Sequence, residues 1–369
     1  MKLSVRRLLP PGTNLKAMLA TLALACVGGV GGNLIGMPLP WLLGPMIVIC
    51  AVAMGGLKLF GSPPQWPEAS RAVFIPVLGV MIGGAFTMDL VLGIVGWWPS
   101  ALGLALFLLV AHWCVFFLYR RLGGYDAATA FYAAAPGGFV ESIILGGAAG
   151  ANTGIIAAQH FSRILIAVFV IPIGFSLALG EVVGSAAGVT LDRGGGSLTL
   201  VDALILILAG FAGVIVGRWL RLPAPLFSGP VLVSAAVHVA GLTAATPPTL
   251  LVNLTQLIVG TTLGVRSVGL SGRDTLRAFA LSGLGMAVML TIACGFAAVL
   301  RNYSDASFAA LILAFSPGGL VEMSLIALSL GLSVPFVSVH HILRILFALT
   351  VVPLQFERVV KPRFGKKGG

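Results

Sequence analysis

The sequence predicts an all-α polytopic membrane protein made of two inverted repeats, with about ten transmembrane helices and two re-entrant or broken helical hairpins. Three observations predict it. The 369 residues are 58% apolar and only 9% charged, with a mean hydropathy of +1.07, whereas soluble domains carry about 25% charged residues. Apolar runs of the ~20 residues needed to span a bilayer recur from Leu15 to Phe356, with no polar stretch large enough for a separate soluble domain. The chain also matches itself: moved by 181 positions, residues 134–175 lie without a gap on 315–356.

In the first half the apolar runs give helices near 15–35, 41–58, 72–88 and 98–119, then a broken stretch at 126–150 and a helix at 152–178. The second half repeats the order at 200–217, 225–242, 249–265, 278–300, a broken stretch at 306–332, and 334–356. Between them "GEVVGSAAGVTLDRGGGS" is polar and glycine-rich, as a linker should be. The domains are therefore repeat 1 at 15–178, a linker at 179–199, repeat 2 at 200–356 and a basic tail at 357–369. The N-terminus imitates a signal peptide and "ALAC" a lipoprotein cleavage site. The repeat argues against cleavage, because it matches this segment to a helix deep in the chain.

The match extends upstream at an offset of 185, where "PLPWLLGP" (Pro38 to Pro45) lies on "PAPLFSGP" (Pro223 to Pro230) and Gly32 on Gly217. Gly79 and Gly83 match Gly260 and Gly264, a GxxxG spacing that marks close helix packing. The Gly44-Pro45 and Gly229-Pro230 pairs read as kinks, and Trp97 and Trp98 as an interfacial anchor.

Charge decides between parallel and inverted halves. If each broken stretch crosses the membrane there are six spans per half and the halves are parallel; if each dips in and returns there are five and they are inverted. With five spans and an internal N-terminus, eighteen of the 22 Lys and Arg fall inside, leaving Arg163 and Arg344 in the membrane and Arg193 and Arg301 outside. The parallel arrangement puts Arg266, Arg273 and Arg277 opposite the C-terminal cluster and violates the positive-inside rule in either orientation. Ten spans, with both termini cytoplasmic, follow. The same distribution disposes of nucleic acid as a partner: the net charge of +11 and pI near 10.2 come from segment ends, and no basic helix or module remains.

The chemistry concentrates at the breaks. Pro136, Gly137 and Gly138 and their matches Pro317, Gly318 and Gly319 leave backbone groups without helical partners, which is tolerated inside a bilayer only where protein or water surrounds them. The half-helix starting near Phe139 would point N–H groups at an anion, and the carbonyls before the turn suit a cation or proton donor. Glu141 and Glu322 follow each break within one helical turn. Ionised and unpaired they would cost at least ~2.5–3.5 kcal/mol. His160 and Arg163 share one face of the next helix, as do His341 and Arg344. An arginine there must meet a carboxylate, carbonyls, water or an anionic solute. A Glu–Arg pair holding hairpin to helix in each repeat is the structural alternative to a solute or ion site, and the two are compatible. His112 and His238 read as satisfied helix residues, and His340 faces elsewhere than His341. Cys26, Cys50, Cys114 and Cys294 are scattered in apolar segments without metal spacing.

The duplicated "PGG-x-VE", the downstream "H-x-x-R-I" and the "P-x-P-x-x-x-GP" motif resemble the AbrB family of bacterial integral membrane proteins, over about residues 15–356. The resemblance implies a duplicated membrane domain in the bacterial inner membrane. That family carries an ammonia monooxygenase label and, in one case, a regulatory one. A copper monooxygenase would need clustered histidine or carboxylate ligands, and the intramembrane histidines here are few and paired with arginine. No Walker A, nucleophile elbow or HExxH is present. The sequence therefore leads us to expect no enzyme, no cofactor and no metal, but a secondary transporter or exporter of a small anionic solute. H⁺ and Na⁺ are its candidate coupling ions, lipid its surroundings and a homo-oligomer a candidate assembly. A membrane sensor that binds a solute and influences gene expression is the alternative.

Overall fold

The computed structural model describes residues 13–179, 198–269 and 273–364. Residues 180–197 of the expected linker with Arg193, the basic cluster Lys2, Arg6 and Arg7, and the final Lys366 and Lys367 lie outside the described residues. Among the described residues the secondary structure is helical, apart from one isolated bridge between Leu59 and Ser62.

The first half contains α1 (Leu15–Leu34), α2 (Pro40–Met54), α3 (Ser70–Gly83) and α4 (Met88–Gly93), which passes through a 3₁₀ turn (Ile94–Trp97) into α5 (Trp98–Arg121). Next come α6 (Ala127–Ala134), α7 (Phe139–Ala148) and α8 (Thr153–Leu179). The second half contains α9 (Leu200–Trp219), α10 (Pro225–Val239), α11 (Thr249–Val265), α12 (Arg273–Leu300), α13 (Phe308–Phe315) and α14 (Leu320–Ser329). It ends with α15 (Val334–Gln355), a π-helical turn (Phe356–Val360) and α16 (Lys361–Phe364). Met88–Arg121 and Val334–Phe364 are thus longer than the expected 98–119 and 334–356, while α3 stops at Gly83 instead of 88. The part of the expected tail that is described, 357–364, continues the last helix.

Among the described residues six helices are long and apolar enough to cross a membrane: Leu15–Leu34, Met88–Arg121, Thr153–Ala178, Leu200–Trp219, Leu276–Leu300 and Val334–Phe364. Shorter apolar helices accompany them. Leu204, Ile207, Leu208, Phe211 and Ile215 of α9 are all more than half exposed. A contiguous apolar stripe of this kind needs lipid to cover it. The chain is a multi-pass membrane protein. Polar residues sit where the helices need caps: Asn14 accepts from the amides of Lys16 and Ala17, and Asp126, Ser307 and Ser333 cap α6, α13 and α15.

The chain divides into two compact units, each with helices from both halves. The first holds residues up to Thr87, Pro172–Ser271 and Leu328–Gly331. Its helices approach each other through glycines. A methyl group added at Gly79 would lie 2.7 Å from the Phe227 carbonyl oxygen, and one at Gly260 would overlap that of Leu42. Gly83 and Gly264 repeat the pattern against the carbonyls of Val231 and Met46. So the expected GxxxG packing is present, each motif on the Gly-Pro helix of the opposite half. Pro45 and Pro230 lie inside continuous helices. Both helices start from a non-glycine residue in the left-handed region, Leu39 at φ 46° and Ala224 at φ 48°. At the rim of this unit, Arg266 grips Glu68 with two bonds of 2.7 and 3.1 Å, and Thr243 donates to Asp202 at 2.6 Å.

The second unit holds Met88–Ile171, Gly272–Ala327 and Leu332 onward. Within it α5 packs on α12, α6 and α15, and α13 packs on α12 and α15. The start of α12 is tied to the end of α5 by Arg277, which donates to the carbonyls of Gly123 (3.1 Å) and Leu122 (3.4 Å). Arg120 lies over the Phe364 ring at 5.8 Å.

Candidate functional site

The twelve residues expected at the site all fall in the second unit. Helix α6 ends because Pro136 has no N–H and drives Ala135 out of the helical region, to φ −53°, ψ 132°. Gly138, at φ 69°, turns the chain so that α7 starts at Phe139. A methyl on Gly146 would lie 3.3 Å from Tyr132 Cβ, and the Asn152 amide donates to Thr129 Oγ1 at 2.8 Å. In one straight helix residues 132 and 146 would stand ~21 Å apart, so this stretch folds back on itself as a hairpin. The second break follows the same plan, with α13 ending before Ser316 (φ −60°, ψ 137°) and α14 starting at Leu320.

Carbonyls left over before each break are taken by the protein's own nitrogens. His160 donates Nε2–H to the Tyr132 carbonyl at 2.9 Å, and His341 does the same to Leu313 at 3.0 Å. His112 donates to Phe131 at 3.0 Å, which satisfies it as expected. His238 likewise bonds the Ser234 and Ala245 carbonyls. Arg344 donates Nη1 to the Ser316 carbonyl and Nη2 to that of Gly318, so it pins the second tip. Arg163 does not pin the first. Its Nη2 donates to His160 Nδ1 at 2.9 Å, and its Nη1 is buried with no partner.

Each glutamate is the third residue of its half-helix and folds back over the glycine before it. A methyl at Gly138 would lie 3.2 Å from Glu141 Oε2, and one at Gly319 would overlap Glu322 Oε2. A carboxylate there complements the positive helix end. The N-terminal pole expected to face an anion is thus already attended by the chain's own carboxylate in both hairpins. The Glu–Arg pairs are not formed: among the described residues the ion pairs are Arg266–Glu68 and Lys361–Glu357.

Gly137 rests on α15, where its added methyl would lie 3.6 Å from Ala348 Cβ and 3.8 Å from the Arg344 carbonyl oxygen. Phe139 stacks edge-on to His160 at 6.0 Å. Arg344 therefore touches the first tip with its backbone and the second with its side chain. Arg163 and Arg344 are 5% and 3% exposed. Neither of these buried cations is ion-paired to a carboxylate among the described residues.

Sequence reasoning missed the polar clamp around Gln159. Its Nε2 donates to Tyr125 Oη at 2.9 Å and its Oε1 accepts from Ser282 at 2.5 Å. The matching position is His340, which bonds Ser100 at 2.9 Å. The available signal was a polar residue at each of two positions 181 residues apart. A cavity of about 850 Å³ lies elsewhere in this unit, between α5 and α12, lined by Trp98, Leu102, Phe296, Val299 and Tyr303 among others. None of the expected residues lines it, and its apolar walls offer an ion nothing to bind. Among the described residues no three His, Cys, Asp or Glu side chains gather as metal ligands.

Comparison with known proteins places these features in a family. Residues 51–359 match the family described as transition state regulatory protein AbrB. The chain is 26% identical over 371 residues to a Bacillus subtilis (strain 168) protein named "Uncharacterized protein YhjN", covering 96% of each chain. It is 25% identical over 327 residues to an Escherichia coli (strain K12) protein named "Putative regulator AbrB", covering 88% of this chain and 91% of that one.

Proposed function

The chain belongs to the AbrB family, and from the site it carries we propose that it is a secondary transporter of a small anionic solute, bound at its paired broken helices. The observation that carries this reading is the buried, unpartnered Nη1 of Arg163 on the helix that follows the first break. An unpaired charge in such a place costs several kcal/mol. An anion supplies what the fold withholds. Glu141, which is partly exposed, is the carboxylate suited to carry H⁺ or Na⁺. The reading involves no catalytic step.

Inverted repeats, ten spans and internal termini belong to the same proposal, and three contacts support them. Arg266 with Glu68, Arg277 with the Leu122 and Gly123 carbonyls, and Arg120 with Phe364 each join groups that the inverted arrangement puts on one side. The parallel arrangement would separate the first two pairs by a bilayer. Transporters with inverted repeats bind their solutes at such paired broken helices near the midplane, and the bacterial inner membrane is the expected location.

Purified protein in liposomes tests the proposal with acetate, succinate, phosphate and sulfate as labelled solutes. Uptake of one of them down an imposed gradient is expected. Binding without flux would favour the second reading, a membrane sensor, which the regulator in the relative's name suggests.

A further inference from the structure

The two broken helices carry one motif and are held in opposite ways. In the second, Ser316, Pro317 and Gly318 are buried, α14 is buried through Ser329, and Glu322 is 4% exposed. Arg344 spends both terminal nitrogens on the tip's carbonyls. In the first, Gly137, Gly138 and Glu141 are partly exposed, and Val140 is exposed where its match Val321 is buried. The equivalent carbonyls, Ala135 and Gly137, receive nothing from Arg163.

Arg163 is instead set up by His160. Because an arginine only donates, His160 Nδ1 must accept from it, which leaves the imidazole neutral with its proton on Nε2, directed at Tyr132. His160 also stacks against Phe139, the first residue past the break. One arm of the guanidinium fork is thereby committed to the histidine that stacks on the residue after the first break, and the other, Nη1, is held buried with nothing to donate to.

We infer that Arg163 Nη1, on the helix that follows the first broken hairpin, is the oxyanion subsite, and that Arg344 with the second tip is a fixed wall. The ligand group is a carboxylate, phosphate or sulfate oxygen received by Nη1, the guanidinium nitrogen that has no partner in the fold. The assignment rests on the transport reading only for what the anion is there to do. It holds equally in a sensor.

Opposite signs of stability change test it in the purified full-length protein. Arg344→Gln strands two buried carbonyls and lowers the melting temperature by about 3 °C or more. Arg163→Gln removes an uncompensated buried charge and leaves the melting temperature unchanged or raises it. Where Arg344→Gln does not accumulate, Arg344→Lys is measured, with a fall again expected. Hydrogen–deuterium exchange supplies a readout that needs no variant: residues 136–148 exchange at least about tenfold faster than 317–329. Acetate, succinate, phosphate or sulfate at constant ionic strength slows the first segment in the wild type and not in Arg163→Gln. Equal exchange in the two segments, a melting temperature that falls as far for Arg163→Gln as for Arg344→Gln, or no protection by any of the four anions overturns the assignment. Protection without liposome flux leaves the subsite standing and sinks transport. Flux that survives Arg163→Gln and is lost with Arg344→Gln sinks the subsite and leaves transport.

Discussion

His160 and His341 stand 181 residues apart and make the same bond, each giving Nε2–H to the carbonyl 28 residues before it, Tyr132 at 2.9 Å and Leu313 at 3.0 Å. Each ties a half-helix to the long helix that follows it. They differ at the other ring nitrogen, which receives Arg163 in the first case and is buried without a partner in the second.

That difference ranks two substitutions. His160→Ala orphans a carbonyl and an arginine nitrogen, while His341→Ala orphans a carbonyl only. At ~1–3 kcal/mol for each stranded buried group, His160→Ala is the more damaging by at least about 1 kcal/mol. Denaturant titration in detergent checks it, and equal losses would show that the Arg163 contact carries no weight.

Glycine contacts predict a second contrast, confined to the first unit. Gly260→Ala drives a methyl into the Leu42 carbonyl, an overlap with backbone that costs ~1–3 kcal/mol or more. Gly31→Ala meets nothing within 4 Å and, lying inside α1, is worth up to ~1 kcal/mol of added stability. Thermal melts of the two variants should move in opposite directions.

Sidedness can be read by labelling. In a protein whose Cys26, Cys50, Cys114 and Cys294 are replaced by serine, single cysteines at Lys58, Arg121 and Lys361 should react with an impermeant maleimide from the cytoplasmic face. A cysteine at Asp89 or Tyr303 should react from the other. All five positions are exposed. Reaction of Arg121 and Lys361 from different faces would refute the inverted arrangement.

Acid should weaken one contact at the rim. Burial raises the Glu68 carboxyl, but the hydrogen bond and charge of Arg266, with the charge of Arg71, outweigh it and hold the group below its usual value. A depressed carboxylate stabilises the fold above its unfolded pKa and stops doing so as pH falls through the folded one. Glu68 is 58% exposed, so the effect stays under ~1 kcal/mol and fades in high salt. The stability difference between wild type and Glu68→Gln should be present at pH 6.5 and vanish near pH 3. A difference that persists in acid would mean the pair is not held by charge.

Much of this was legible in the sequence because the governing rules are local. A proline followed by two glycines stops a helix where proline alone at Pro45 and Pro230 does not, so α7 starts at Phe139 as the Pro-Gly-Gly break requires. GxxxG leaves a groove whatever fills it, and both motifs are packed. What Arg163 and Arg344 would touch was not legible. Identical motifs at identical spacing gave one arginine two carbonyls and the other a histidine, because the choice depends on how deeply each hairpin is buried. The glutamates escaped for a similar reason: a carboxylate three residues into a half-helix is closer to its own N-terminal glycine than to any arginine. Helix α4 was missed because its face is fully or partly exposed and offers no buried periodicity.

The interleaved glycine seams have a consequence for biosynthesis. Gly79 and Gly83 leave the ribosome 148 residues ahead of Phe227 and Val231, whose carbonyls they will meet, and Leu42 waits 218 residues for Gly260. During translation the early helices carry open furrows that only later helices can close. Insertion of α10 and α11 is therefore the step at which the glycine seams of the first unit close, and a nascent chain interrupted before it presents those furrows to lipid and to the cell's quality-control proteases.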